Sequence, residues 1–447
     1  MEAVMTALTA RERWLARAAL LAAAAAVVVL LLFAGLRAIA LLGVGAGGLV
    51  VTAAGLWWAL THRGARRALA LALAVAAPVL VLIAYVNRHV AWVIALSAAL
   101  WLAAVVAGRS ALVRVDRPAA MPETPAAPPR QPFMIMNPRS GGGKVARFGL
   151  REKAEALGAD VALLEGPGTV DVAGLAQAAV VKGADVLGVA GGDGTQAIVA
   201  DVAAEHGVPL LVIPAGTRNH FALDLGLDRD DPAKALDALR DGTEMRVDLG
   251  RAGGRPFVNN VSFGAYAEVV QSPSYRGGKT RTVADVLPDY LVGHRGARLT
   301  ARTDDVVVSG PQAVLVSNNP YGMGDITGLG RRPYLNGGVL GMIGVRVSSA
   351  AQAAGLLRGQ RSAGLTRATG RTVTVDADRD RIPVGVDGEA LTLPVPVHCE
   401  VRPSALRVLV PRQRPGVPGP RPHIAWKRIF RLALVPDRPA AERAARR

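Results

Sequence analysis

The chain has a single cysteine, Cys399, in 447 residues. That excludes an internal disulfide framework and fits a reducing compartment. Aromatic residues are scarce, at 4%. No series of rings is available for base stacking, so nucleic acid is not an expected partner despite a formal charge of +17. Lysine is rare too, supplying six of the 52 basic residues. No internal repeat is visible. No complete P-loop is present either, because Val145 follows Gly143-Lys144 where Ser or Thr is required.

Apolar residues are abundant, at 51%, and concentrated at the start. Four runs, 16–36, 38–60, 68–86 and 90–108, are each about the length a helix needs to cross a bilayer. The first run is too long for a cleaved signal and is followed by three more. Arg11, Arg13, Arg17, Arg63, Arg66, Arg67, Arg109, Arg114 and Arg117 fall on one side of these spans, against Arg37 and Arg88 on the other. This bias puts both termini on the cytoplasmic side. Gly43, Gly45 and Gly48 satisfy G-x-G-x-x-G inside a span, where close helix packing is the better reading than dinucleotide binding. The expected division is 1–110, four transmembrane helices; 111–131, a Pro/Ala-rich linker; 132–245, an α/β domain; 246–411, a β-rich domain; and 412–447, a basic tail. Within the tail, "HIAWKRIFRLALV" reads as a helix lying on anionic lipid or as a solvated segment.

Three glycine-rich corners follow the linker. "PFMIMNPRSGGGKV" is a strand ending at Asn137, with Ser140, Gly141 and Gly142 forming a bare loop before a helix-like run. Strand, glycine loop and helix turn backbone N–H groups toward an anion. "LGVAGGDGTQAIVADVA" repeats the device with Gly191, Gly192, Asp193, Gly194 and Thr195. Thr195 is the expected helix cap. Asp193 would repel a phosphate unless it holds a metal or its water, or accepts loop N–H groups. "PLLVIPAGTRNHFALDLGL" is the third corner, where Gly216, Thr217 and Asn219 turn the chain and Thr217 and Asn219 offer polar groups to a nucleotide. Ligands of open α/β sheets collect at strand C-termini, and here three such corners lie close together in sequence.

"NPRSGGGK", "GGDGT" and "PAGTRNHFA", in this order, resemble the catalytic domain of the diacylglycerol kinase family, which includes sphingosine kinases; NAD kinases share the "GGDGT" loop. The resemblance continues through "SNNPYGMG" and "GVDGEALTL" to about residue 411. It implies a multi-domain chain: an N-terminal α-helical transmembrane bundle, then an α/β nucleotide-binding domain and a β-rich, β-sandwich-like second domain, with the active site between the last two. It further implies that Asn137, Ser140, Gly141, Gly142, Gly191 to Thr195, Gly216, Thr217 and Asn219 hold ATP. Asp387, which alone would be a hairpin-turn residue, becomes the general base, supported by Glu389. Mg2+ is expected near Asp193. The family's Asn-Asp reads Asn219-His220 here, so Asp224 or Asp248 is the candidate replacement ligand.

The expected function is therefore a membrane-integrated lipid kinase at the inner face of the cell membrane. Diacylglycerol is the first candidate acceptor, with a sphingoid base or another lipid alcohol as alternatives. Anionic headgroups are expected partners of the basic flanks and tail, and a homodimer stays open. A nucleotide-sensing module without catalysis is the rival reading. A kinase of a soluble cofactor fits the membrane block poorly.

Overall fold

The computed structural model describes residues 10–34, 37–62, 64–87, 91–112, 121–166, 170–264, 267, 297–322, 331–346, 364–416 and 426–434. It forms two compact units, Met1–Pro118 with Gly419–Arg447, and Ala119–Pro418.

The first unit contains α1 (Ala10–Ala34), α2 (Arg37–Thr61), α3 (Gly64–Asn87) and α4 (Ala91–Leu112). Three of them, through Arg11–Phe33, Gly64–Val86 and Trp92–Leu112, are long and apolar enough to cross a membrane. In α2 the apolar stretch is the shorter Gly43–Ala59. Side chains such as Leu32, Leu49 and Leu69 are more than 70% exposed. An outer face this apolar needs an apolar surrounding. The G-x-G-x-x-G stretch does serve helix packing. A Cβ on Gly48 would meet Val81, and one on Gly55 would meet the backbone of Ala70, both on α3. Of the two readings of the tail, a helix is present at Trp426–Leu434. Part of its apolar face is covered by protein, while Phe430 and Leu434 stay exposed. Ile429 is fully buried against Gly108 and Ala19, the Arg17 Nε donates to the Ala433 carbonyl at 3.1 Å, and Trp426 lies 5.5 Å from Trp101.

The second unit begins with β1 (Thr124–Ala126), which pairs antiparallel with β6 (Gly242–Ala252). The end of the expected linker is thus part of a sheet, and Glu123 pairs with Arg414 at its far side. Next come β2 (Pro132–Met136), α5 (Lys144–Arg147), α6 (Leu150–Ala156), β3 (Asp160–Leu163), α7 (Val172–Val181), β4 (Val186–Ala190), α8 (Asp193–His206), β5 (Leu210–Ile213) and α9 (His220–Asp224). The helix expected after Lys144 is broken between α5 and α6, where Gly149 takes a left-handed conformation. Strands β3, β2, β4 and β5 are parallel neighbours in that order. Both of their faces are covered. Ile135, Leu187, Val189, Leu210 and Val212 enter one core, and Met134, Met136, Val186, Leu211 and Ile213 another. This is why these strands read as unbroken apolar runs instead of alternating ones.

The β-rich part adds β7 (Arg255–Phe257), β8 (Asn260–Gly264), β9 (Leu299–Arg302), β10 (Val307–Ser309), β11 (Ala313–Asn318), β12 (Leu340–Val345), β13 (Leu365–Gly370), β14 (Thr372–Ala377), β15 (Arg381–Val386), β16 (Glu389–Pro394) and β17 (Val397–Pro411). One antiparallel sheet runs β13-β12-β11-β8-β15-β16. Its Val261, Phe263, Val316, Met342 and Val384 pack against Ala301, Val375 and Cys399 of the other sheet, a sandwich with Cys399 in its core. Each of the larger side chains, Val, Phe and Met, contributes about 1.5–3 kcal/mol on burial. The second sheet does not stop at the expected boundary near residue 245. β6 crosses it, and β17 returns to pair with β6 and, in parallel, with β5. The two layers are thereby joined through one 11-stranded sheet.

Candidate active site

The three corners meet. At the first, the Asn137 N–H donates to the Ala190 carbonyl at 2.8 Å, at the end of the neighbouring strand. Its side-chain oxygen accepts the Arg139 N–H at 3.0 Å. Gly141 has φ +55°, and a Cβ there would stand 2.3 Å from the Ala215 carbonyl. Only glycine lets this loop rest on the third corner. Gly142 faces open space, and Ser140 is half-buried. The Lys144 Nζ donates to the Arg229 carbonyl at 2.9 Å, holding a cation beside the loop.

At the second corner Gly192 is the N-cap and Asp193 the first residue of α8. Thr195 lies inside the helix, packed against Gly191, and does not cap it. Asp193 is nearly buried and accepts N–H groups from His220 at 3.2 Å and Phe221 at 3.3 Å. Of the roles open to it from sequence, pinning a loop is the one its contacts satisfy. Gly192 has open space above its Cα, so the helix N-terminus is approachable. Gln196, missed from sequence, is fully buried and donates to the Gly191 carbonyl at 3.0 Å. A polar residue on the buried face one turn into the helix was its only signal.

At the third corner Thr217 is exposed. Asn219 is not offered to a ligand. It is 1% exposed, with φ +51°, and its amide is used inside the turn. Oδ1 accepts the Gly216 N–H at 3.0 Å, and Nδ2 donates to the Pro214 and Gly216 carbonyls at 3.0 and 2.7 Å. Gly216 packs on Gly192, where a Cβ would come within 2.7 Å. The half-buried His220 imidazole is held below its ordinary pKa by burial, against the opposing pull of Asp193 and Asp224.

Asp387 and Gly388 make the tight turn between β15 and β16, both at positive φ. The positive φ of a non-glycine is held by the Asp387 carboxylate. Oδ2 accepts the Val258 N–H at 2.7 Å, and Oδ1 accepts those of Asn259 and Asn260 at 2.8 and 3.0 Å. Desolvation, then the like charge of Asp193, raise its pKa to about 7 against the pull of these three amides. The residue as a whole stays partly accessible because the turn faces outward while the carboxylate is turned in. Glu389 reaches the second corner: a Cβ on Gly194 would lie 2.1 Å from its Oε1. The base candidate, its neighbour carboxylate and the phosphate-type loops are therefore together.

Asp248, one of the two residues expected at the metal, is engaged elsewhere. Asp248 is 1% exposed and its carboxylate is fully engaged, by Ser404 N–H at 2.7 Å, Gly338 N–H at 2.6 Å and Asn319 Nδ2 at 3.0 Å. It ties together strands of the β-rich part. Asp224 is paired with buried Arg332 at 2.7 Å. Among the described residues no group of three or more His, Cys, Asp or Glu side chains could hold a metal ion. A protein-built Mg2+ cage does not fit this donor set.

The arrangement is an α/β layer with glycine corners at its strand ends, joined to a β-sandwich that brings a carboxylate beside them. Residues 131–252 match the diacylglycerol kinase catalytic domain, so the resemblance carried by the motifs holds over that stretch. A diacylglycerol kinase of Mycobacterium tuberculosis is 39% identical over 119 residues, 26% of this chain and 38% of that protein. One of Bacillus subtilis is 36% identical over 126 residues, 28% of this chain and 40% of that protein. The aligned stretch thus spans about two fifths of these relatives. A crystal structure of a putative diacylglycerol kinase from Bacillus anthracis superposes with a TM-score of 0.50 at 19% identity, over 64% of this chain and 99% of that one, which establishes the fold.

Proposed function

We propose that the protein transfers the γ-phosphoryl group of ATP to the hydroxyl of a membrane lipid, diacylglycerol first among the candidates, at the cytoplasmic face of the cell membrane. The observation that carries this reading is Asp387, clamped by three amides beside the Asp193 corner with a pKa near 7. A base poised at that pKa is ionised often enough to act and basic enough to accept a proton. The lipid oxygen attacks the γ-phosphorus while its proton passes to Asp387. The bond to the β-phosphate oxygen breaks and ADP leaves. The exposed amides of the first two corners and the N-terminus of α8 offset charge on the phosphoryl oxygens. Mg2+ is proposed as the counter-ion that enters with ATP. The diacylglycerol kinase relatives support the acceptor class.

Three helices able to cross a membrane would hold the enzyme beside its substrate. The basic flanks and tail suit anionic headgroups. The reading is tested with full-length protein in nanodiscs, labelled ATP and a panel of diacylglycerol, sphingoid base and prenyl alcohol. Labelled phosphatidate that disappears in Asp387→Asn but persists in Arg443→Ala supports it. Nucleotide binding with no labelled lipid across the panel overturns it in favour of a sensing module.

A further inference from the structure

Arg332 heads the fully buried large side chains, and its guanidinium has 0% exposure. It stands in "RRPYLNGG", where no reading from sequence singled it out. Nε donates to Asp224 Oδ2 at 2.7 Å, and the backbone N–H donates to Asp224 Oδ1 at 3.3 Å. Nη1 donates to the carbonyls of Val258 at 2.5 Å and Asn318 at 2.8 Å, and Nη2 to Asn259 Oδ1 at 2.8 Å. A buried ion pair gives little net stability over an apolar replacement, so stability alone is a weak account of it.

Its partners connect the two halves of the site. Asp224 closes α9, whose first two amides hold Asp193. Val258 and Asn259 belong to the loop whose amides hold Asp387. The peptide unit between them is one rigid plane. At one end the Val258 carbonyl accepts from Arg332, and at the other the Asn259 N–H donates to Asp387. A hydrogen bond at either end of such a plane fixes its orientation and strengthens the other.

We propose that Arg332 is a positioning residue: it locks the peptide planes of residues 258–260, and through them Asp387, at a fixed spacing from the Asp193 corner. The proposal rests on the kinase reading for its kinetic consequence, but the mechanical link can be tested without it. The charged groups facing Asp387 among the described residues are Asp193 from α8 and Arg332, with the neutral Tyr321 beyond β11. Arg332 is the cation in that set, so its charge favours ionised Asp387.

The test uses full-length Arg332→Lys, Arg332→Met and Asp224→Asn in nanodiscs. Arg332→Lys keeps the charge and loses the fork. It is expected to lower kcat about 100-fold, the effect of a base misplaced by about 1 Å. The KM for ATP should stay within about 3-fold, because among the described residues the hydrogen bonds of Arg332 go to none of the three glycine corners, and the acidic limb of the pH profile should not move. Arg332→Met should lower kcat similarly and move that limb upward. Hydrogen exchange should rise in 258–260 and 220–225 together, with β4 and β5 unchanged. Equal losses of ATP affinity and kcat with loosening throughout the sheet would mean a merely structural side chain and overturn the proposal, as would unaltered kcat in folded variants. If the wild type phosphorylates no lipid, the kinase reading fails, and the exchange pattern decides for Arg332 on its own. Faster exchange confined to 331–335 then refutes the link. Should Arg332→Met not fold, the other two variants carry the comparison.

Discussion

Activity and stability of this protein should respond to pH in opposite directions, through one carboxylate. Asp387 titrates at about 7 in the folded protein, against an ordinary 3.8 in the unfolded chain. Between those values the folded state holds a proton that the unfolded state has released, so stability falls as pH rises through this window and is level above it. Three pH units at about 1.4 kcal/mol each cap the loss at about 4 kcal/mol. Partial solvent access at the turn lowers the expected effect to about 2 kcal/mol. Activity moves the other way, rising through pH 7 as the base ionises, and levelling near pH 8. Asp387→Asn removes both responses. It should cost about 10²–10⁴ in kcat, while its stability curve stays flat between pH 5 and 8 apart from other groups. The assay pairs urea midpoints of the second unit's hydrogen-exchange transition with kcat/KM for lipid phosphorylation, both at half-unit pH steps. A wild-type rate that is flat from pH 5.5 to 8.5, or a stability difference between wild type and Asp387→Asn that does not change with pH, refutes the assignment of a strained base at this position.

Asn219→Ala should destabilise the second unit by about 1–3 kcal/mol, because a buried Gly216 N–H and two carbonyls lose their partner; calorimetry reads this as a lowered Tm together with weaker ATP-analogue binding. Asp248→Asn should lower Tm as well, since an amide nitrogen would face backbone donors, yet leave the Mg2+ concentration for half-maximal activity unchanged. A shift in that concentration would restore Asp248 as a ligand. Gly194→Ala drives a Cβ into the Glu389 carboxylate, a flexible group that can swing away, so the fold should persist while kcat falls if Glu389 assists the base; unchanged kcat removes Glu389 from the mechanism.

What could be read from the sequence divides along the range of the interactions. The three corners were legible because a strand end, a glycine loop and a helix start are neighbours in the chain, and a glycine at a tight approach leaves a mark that no other residue can. The G-x-G-x-x-G stretch was correctly set aside for a similar reason: its surroundings were apolar for too long. Asp193 and Asn219 lie at the expected corners, but their bonds go beyond what the local pattern shows. The Asp193 carboxylate accepts N–H groups from α9, which depends on which corner lies beside which, and the Asn219 amide closes its own turn. Asp248 looked free for a metal only because its partners, Ser404, Gly338 and Asn319, are 156, 90 and 71 residues away. Arg332 was invisible for the same reason, and more completely. Its pattern is two arginines before a proline, ordinary for a solvated loop. Its role exists only once the fold brings Asp224 of α9 and the Val258–Asn259 loop to the same side chain. A buried guanidinium is costly unless every N–H it carries is met. Its four donor contacts, with a fifth from the Arg332 backbone N–H, are therefore a strong constraint on how the two layers meet, and that constraint falls where the base must face the phosphate loops.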